Sequence, residues 1–161
     1  MKLDREEKEY MKIIVDADAC PVIKIVERIA AEKKIELLLV CDTSHMFQPT
    51  YGRVITVDKG NDAADFMVIQ KGQKSDIVVT QDYGVAAMAL GKGMYAIHQS
   101  GKWYTNENID MLLFERHMAK QARKSSKSHM KGPRKRTPED DERFEQSFLK
   151  LLATIQSQVN S

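Results

Sequence analysis

Two hydrophobic runs in this 161-residue chain each end in residues that could do chemistry. The run at residues 13–15 is followed by Asp16, and the run at residues 77–79 is followed by Thr80 and Asp82. Both runs predict buried strands, and the carboxyl ends of parallel strands form the ligand-binding edge of an open α/β sheet. We therefore expect the three side chains at one edge, where Thr80 could hydrogen-bond a phosphate oxygen or a water.

Three further aspartates could join that edge. Asp18 follows Asp16 by two residues, so an extended chain would point both to one side, although Asp18 could instead cap the next helix. Asp62 and Asp65 are three residues apart at the start of a predicted helix, which places them on one helical face. Capping is the structural alternative for Asp62, with Asn61 as a rival cap, whereas Asp65 lies deeper in the helix.

Grouping these acids has a physical reason. Several carboxylates within a few ångströms repel one another unless cations lie between them. Their hard oxygen atoms suit Mg²⁺ or Mn²⁺, and such ions support cleavage of phosphodiester bonds. The predicted metal ligands are Asp16, Asp18, Asp62, Asp65 and Asp82, and the predicted catalytic residues are Asp16, Asp65, Asp82 and Thr80. The alternative is that each aspartate only ends a strand or caps a helix.

Other reactive side chains give weaker signals. The four histidines are scattered and lack the spacing of a zinc site. Cys20 lies at a predicted helix start, where a thiol pKa can fall, but an inert cysteine is the simpler interpretation. Trp103 and Tyr104 either cover the edge of the sheet or stack on a base.

Composition narrows the class of protein. Two cysteines in 161 residues do not form a disulfide framework, so a reducing, cytoplasmic setting is expected. No apolar run approaches the ~18 residues that a membrane span needs, so no membrane contact is predicted. The charged N-terminus is not a signal peptide, and residues 1–10 are predicted to be a disordered or frayed extension.

Short β-rich runs alternate with helical patterns along residues 11–119. Strands are predicted at 12–15, 35–41, 53–57, 76–80 and 94–98, and helices at 21–34, 62–71, 84–90 and 106–124. This alternation predicts an α/β domain, a three-layer sandwich around a mostly parallel central sheet of about five strands.

The chain is basic towards its end. Residues 11–119 carry a net charge of −2, whereas residues 120–161 carry +5. Residues 120–137 are predicted to be a flexible basic linker that can follow a phosphate backbone, or simply a solvated segment. The predicted nucleic-acid-binding residues are Lys120, Arg123, Lys124, Lys127, Lys131, Arg134, Lys135 and Arg136. A final helix is predicted at residues 138–158, docked on the domain or on a second subunit of a homodimer.

Four segments together resemble the bacterial YaiI/YqxD family. They are residues 13–21, 60–65, 79–86 and 132–133, and the similarity spans about residues 11–152. That family is uncharacterised and is placed among PIN-like domains, a fold shared by metal-dependent RNA nucleases and flap endonucleases.

The PIN resemblance lies in Asp16 at the end of the first strand, Asp65 on a mid-chain helix and the Thr80-x-Asp82 ending of a later strand. It implies a PIN-like fold, Mg²⁺ or Mn²⁺ bound by these acids, and cleavage of phosphodiester bonds. Asp18 and Asp62 are additional to the PIN pattern.

Three functions are therefore expected in order of preference. The first is a metal-dependent nuclease acting on RNA. The second is a non-catalytic nucleic-acid- or ribosome-associated binding protein. The third is a phosphatase of the haloacid-dehalogenase type, which Asp16-x-Asp18 resembles, although Cys20 stands where a Thr or Ser is usual and no late Gly-Asp-x-x-x-Asp follows.

Overall fold

The computed structural model describes residues 11–42, 48–60, 62–125 and 134–159. The strands are β1 (Lys12–Asp16), β2 (Glu36–Asp42), β3 (Arg53–Val57), β4 (Ile77–Val79), β5 (Tyr95–Ile97) and β6 (Trp103–Tyr104). The helices are α1 (Ile23–Lys33), α2 (Ala63–Lys71), α3 (Tyr83–Gly91), α4 (Ile109–Ser125) and α5 (Pro138–Val159). The extension predicted for residues 1–10 lies outside the described residues.

The strands form one six-stranded sheet in the order β3-β2-β1-β4-β5-β6. The first five are parallel, as the sequence predicts, and β6 is antiparallel to β5. The chain winds outwards from β1 in one direction to β3 and in the other direction from β4 to β6. The gap between β1 and β4 is therefore the topological switch point, where ligands of such sheets bind.

Side chains of each central strand alternate between two cores. Ile13 and Val15 belong to one core and Ile14 to the other, and all three are fully buried. Helices α1 and α5 cover the first face, whereas α2, α3 and α4 cover the second. The fold is thus a three-layer α/β sandwich, and the near-continuous apolar runs follow from burial of the sheet on both sides.

Helix α5 packs on the body of its own chain. Phe144 and Phe148 are fully buried, and their rings stack with centroids 5.4 Å apart. They share a core with Ile13 and Val15 of β1, the strand that carries the candidate site. At the start of the helix, Thr137 and Asp140 form a reciprocal capping box.

The start of the basic segment is helical, where the predicted helix at residues 106–124 overlaps the predicted linker at residues 120–137. Helix α4 continues to Ser125, so residues 120–125 are helical. Arg123 and Lys124 lie in its last turn, where cations are stabilised by the helix dipole. Residues 134–137 lead into α5, and Arg136 donates to Asp141 at 2.7 Å. None of the described helices is long and apolar enough to cross a membrane.

The packing of α5 can be tested with two adjacent residues. Phe148→Ala removes a fully buried ring and should lower the free energy of unfolding by about 3–5 kcal/mol. Leu149→Ala is the matched control, because Leu149 is 36% exposed and should cost about 1 kcal/mol or less. Urea unfolding followed by circular dichroism measures both changes, and equal losses would contradict this docking.

Candidate acidic site at the carboxyl edge of the sheet

Asp16 and Thr80 lie side by side at the switch point. Val15 of β1 pairs with Val79 of β4, and each strand then delivers its next residue to the same edge. Thr80 is buried, and its Oγ1 donates to Asp16 Oδ2 at 3.0 Å. The register of two parallel strands therefore sets the position of the first candidate acid.

Thr80 also positions Asp82. The backbone N–H of Asp82 donates to Thr80 Oγ1 at 3.0 Å, and the hydroxyl of Tyr104 donates to the carbonyl oxygen of Thr80 at 3.1 Å. The single proton of the Thr80 hydroxyl is used on Asp16. Thr80 thus acts in this structure by holding two acids, and the predicted contact to a phosphate or water stays a prediction.

Asp82 is both a candidate acid and a helix cap. Its Oδ1 accepts hydrogen bonds from the backbone N–H groups of Gly84 at 2.7 Å and Val85 at 3.1 Å, which caps α3. Arg116 Nη1 from α4 lies 3.6 Å from the same oxygen. Asp82 therefore caps a helix, as the structural alternative expects, and it also lies at the acidic edge of the sheet.

Asp62 and Asp65 approach the edge from α2. Asp62 stands at the N-cap position in the left-handed region, with φ +62°, and its side chain makes no capping hydrogen bond. Side-chain capping therefore does not explain Asp62. Burial raises the pKa of Asp65, and the nearby carboxylates of Asp82 and Asp62 raise it further. Asn61, the rival cap, lies outside the described residues.

Asp18 does not cap the helix that follows it. The N-cap of α1 is Val22, which makes no side-chain capping bond. Asp18 instead accepts a hydrogen bond from the backbone N–H of Asp42 at 3.2 Å, at the end of β2. The capping alternative for Asp18 is wrong, and the residue links the carboxyl ends of β1 and β2.

The charges of these acids act on one another. Burial raises the pKa of Asp16 to about 6, and the carboxylates of Asp65, Asp18 and Asp82 push it in the same direction. The hydrogen bond from Thr80 opposes this rise. The edge thus holds a half-buried carboxylate with several like charges nearby, a pattern that marks candidate functional sites.

The donor set suits a hard cation, but it is not a preformed metal cage. In the ranges that the structure describes, no three acidic, histidine or cysteine side chains lie in an arrangement that could hold a metal ion. The donors are nevertheless all carboxylate oxygens. Mg²⁺ is commonly held by one or two carboxylates, with waters and substrate phosphates completing its shell. The residues therefore fit such an open site, and the prediction that five acids bind the metal stays a prediction.

A groove runs from these acids between α2, α3 and α4. Asp62, Asp65 and Asp82 line one wall, and Phe66 and Met88 contribute apolar surface. The opposite wall is formed by a basic stripe on α4, whose members are Arg116, His117, Lys120, Arg123 and Lys124. Three predicted nucleic-acid-binding residues, Lys120, Arg123 and Lys124, thus face the candidate acids across one groove.

The other predicted basic residues are placed differently. Arg134 and Arg136 pair with Asp140 and Asp141, and Lys135 is exposed. Lys127 and Lys131 lie outside the described residues.

Sequence reasoning missed three residues near the acids, namely Arg116, Glu115 and Phe66. The spacing of Arg116 with Lys120, Arg123 and Lys124 puts them on one helical face and could have identified Arg116. No comparable local signal connects Phe66 with Asp82.

Cys20 fits the inert interpretation. Burial raises the pKa of its thiol to about 11, so the thiolate that would make it a nucleophile is disfavoured at neutral pH. Trp103 and Tyr104 form the edge strand β6, and the ring of Tyr104 is buried, which agrees with a covering role.

The raised pKa of Asp16 predicts that this residue lowers the stability of the fold as the pH rises. The folded pKa of about 6 exceeds the ordinary 3.8, so stability is lost as the pH rises from about 3.8 through 6. Asp16→Asn keeps an acceptor for Thr80 without the charge. It should therefore raise the free energy of unfolding by about 1–3 kcal/mol at pH 8, with little effect near pH 4.

Urea unfolding at both pH values measures this difference. Glu36→Gln, at an exposed acid at the amino end of β2 and so at the opposite edge of the sheet, is the matched control and should stay within about 0.5 kcal/mol at both. An Asp16→Asn variant that is less stable than the parent at pH 8 would contradict a raised pKa.

A UPF0178 protein of Clostridium acetobutylicum is 64% identical over 143 residues, covering 88% of this chain and 97% of the relative. A UPF0178 protein of Lachnoclostridium phytofermentans is 54% identical over 149 residues, covering 91% and 100%. A UPF0178 protein of Exiguobacterium sibiricum is 47% identical over 142 residues, covering 88% and 96%.

A mutant form of Rae1 (YacP) from Bacillus subtilis is a structural neighbour, with a TM-score of 0.44 and 15% identity. It covers 71% of this chain and 83% of its own, and the likeness is too low to bear on function. The family profile described as "Uncharacterized BCR, YaiI/YqxD family" matches residues 14–154. This match and the high identity to UPF0178 proteins show that the chain belongs to the uncharacterised YaiI/YqxD family.

Proposed function

We propose that the protein is a metal-dependent nuclease that hydrolyses phosphodiester bonds in RNA. The observation that carries this proposal is the gathering of acids around half-buried Asp16 at the switch point, next to a groove where Asp65 and Asp82 share the lining with a basic helix wall. Acids suit a divalent cation, and the basic wall suits the phosphates of the substrate. The two features lie where an α/β sheet binds its ligands.

Each acid has a distinct part in this proposal. One or two of the carboxylates of Asp16, Asp65 and Asp82 would hold Mg²⁺ or Mn²⁺ directly, with waters and substrate phosphate completing its shell, and Asp18 and Asp62 would lie in supporting positions. When bound, such a cation polarises a phosphate oxygen and neutralises the charge that develops during hydrolysis. Thr80 fixes the carboxylate of Asp16 and the backbone of Asp82, so the acids need little rearrangement.

The groove provides the binding surface for the polyanion. Arg116 lies between the acids and the rest of the basic wall, 3.6 Å from Asp82 Oδ1, so a phosphate held by Arg116 lies next to the acids. Lys120 and Lys124 extend this wall along α4. Phe66 is 64% exposed in the same groove, and an exposed aromatic ring offers a stacking surface for an unpaired base.

The second candidate is a binding protein without catalysis. It is favoured by the absence of a preformed metal cluster among the described residues and by the structural hydrogen bonds of Asp82 and Thr80. In that case the acids stabilise the edge of the sheet and only the basic wall contacts nucleic acid.

Calorimetric titration with Mn²⁺ and cleavage of a labelled single-stranded RNA distinguish the two candidates. The full chain should bind Mn²⁺ and cleave the RNA, and Asp16→Asn/Asp82→Asn should lose both. Asparagine still caps helices well, so the double variant should keep its fold. Glu36→Gln, at the opposite edge of the sheet, provides a matched charge change outside the site and should behave like the parent.

Failure of the parent chain would count against the nuclease. If it binds no Mn²⁺ with or without RNA and leaves the RNA intact, the acids are structural. RNA binding that survives the double variant would then favour the binding protein.

The basic wall makes a separate prediction about salt. Lys120→Gln/Lys124→Gln should weaken binding of single-stranded RNA and reduce the slope of log affinity against log salt by about 1.4, since each phosphate contact contributes about 0.7. Lys24→Gln/Lys33→Gln on α1 changes the net charge equally on the opposite face of the sheet. Fluorescence anisotropy over a salt series compares them, and equal slopes would show that the wall is not the binding surface.

A further inference from the structure

Phe66 on α2 is a large apolar side chain that the fold leaves in solvent. It is 64% exposed, whereas Val68, two residues further along the same helix, is fully buried. The ring of Phe66 therefore contributes little to the core. A single exposed apolar residue is ordinary on a protein surface, so the surroundings of Phe66 decide whether it has a function.

Phe66 lies in the groove that the acids share with the basic stripe of α4. The groove has a volume of about 1050 Å³, which is large enough for a nucleotide-sized group. Met88 of α3, which is 42% exposed, lines the same groove and adds a second apolar side chain with a polarisable sulfur atom. Two exposed apolar side chains from different helices thus share one groove.

The charges in this groove indicate which ligand the two apolar side chains would meet. The basic stripe lines it with four exposed cations that stay charged at neutral pH, namely Arg116, Lys120, Arg123 and Lys124. Arg116 and Lys124 are eight residues apart, so the row extends about 12 Å along the helix axis. Such a row suits successive phosphates of a polynucleotide, and an exposed ring beside it suits an unpaired base. A duplex would meet only the cations, because its bases are stacked inside.

The chain also places Phe66 beside the acidic site. Phe66 directly follows Asp65, and its backbone N–H donates to the carbonyl oxygen of Asp62, one helical turn earlier, at 2.9 Å. Asp65 and Asp82 line both this groove and the pocket around Asp16. A base stacked on Phe66 would therefore belong to a nucleotide next to the phosphate that faces the acids.

We propose that Phe66, with Met88 beside it, forms a base-binding subsite that stacks on one unpaired base of a single-stranded RNA whose backbone follows the basic stripe. The inference rests on the proposed function for the identity of the polyanion, but it needs neither the cation nor cleavage. Every base has a flat face, so the subsite selects single strands over duplexes without reading the sequence. Phe66 then determines specificity for unpaired RNA, and the basic stripe provides affinity for its backbone.

Fluorescence anisotropy of the full chain with labelled RNA, in EDTA and at low salt, tests the subsite without any cleavage. Phe66→Leu keeps an apolar side chain and removes the ring, so it should weaken binding of single-stranded RNA by about fivefold to fiftyfold. Its affinity for an RNA duplex should stay within about twofold of the parent, because no base in a duplex can stack on Phe66. The slope of log affinity against log salt should not change, since no phosphate contact is lost.

Two variants serve as controls. Phe66→Trp keeps an aromatic face and should bind single-stranded RNA like the parent. Phe114→Leu makes the same substitution at a ring that is 60% exposed and lies outside the groove lining that the described residues form, so it should also bind like the parent. Circular dichroism should show that all three variants keep their helices, because both rings are largely exposed.

A strand without bases separates stacking from phosphate contact. The parent should bind an abasic sugar-phosphate strand more weakly than RNA of the same length, by the same factor of about five to fifty. For Phe66→Leu this difference should shrink to about twofold, because the ring that distinguishes the two strands is gone.

Three results would overturn the subsite. One is an equal loss of single-strand affinity in Phe66→Leu and Phe114→Leu, and another is an equal loss for single-stranded and duplex RNA in Phe66→Leu. The third is a parent chain that binds the abasic strand as tightly as RNA. A parent that cleaves RNA while Phe66→Leu binds it normally would refute only this inference. A parent that binds RNA through Phe66 but never cleaves it would refute only the nuclease.

Discussion

The buried hydroxyl of Thr80 is the contact on which the acidic edge depends. It donates to Asp16 and accepts from the backbone of Asp82, so one side chain joins the ends of β1 and β4 and the start of α3. Tyr104 of β6 fixes the same residue from the other side. Because successive residues of a strand point to opposite faces, a slip of β4 by one residue would turn Thr80 into the other core and separate the acids.

This arrangement places charge where charge is unfavourable. Asp16 is partly withdrawn from water and lies near three other acids, which together raise its pKa to about 6. A fold that needed only stability would gain from a neutral residue here. A cation or a proton relieves the repulsion, and the basic wall of α4 balances the charge across the groove. The unfavourable free energy of holding these charges together is therefore an argument for a ligand. A residue that only caps a helix or ends a strand would not need such a cluster of charges.

The sequence predicts the strands and helices around the sheet well because local patterns of apolar residues indicate them. Strands buried on both faces leave continuous apolar runs, and the acids that follow them must lie at the same edge. Strand β6 was missed because two residues make no pattern. The capping role of Asp18 was wrong for a different reason, since its partner Asp42 belongs to another strand. The positions of Arg116 and Phe66 near the acids likewise depend on how the helices pack against one another.

Helix α4 begins in the core beside the site and ends at the exposed surface of the protein. Its first turns are held by the core, whereas its last turns extend the basic wall beyond the body of the domain. A long groove wall needs a helix longer than the domain can cover, and such a helix exposes whatever lies on its outer face. Met111, Phe114 and Met118 on that face reduce solubility unless they are covered. The same extension that gives the groove its length thus also exposes these three side chains.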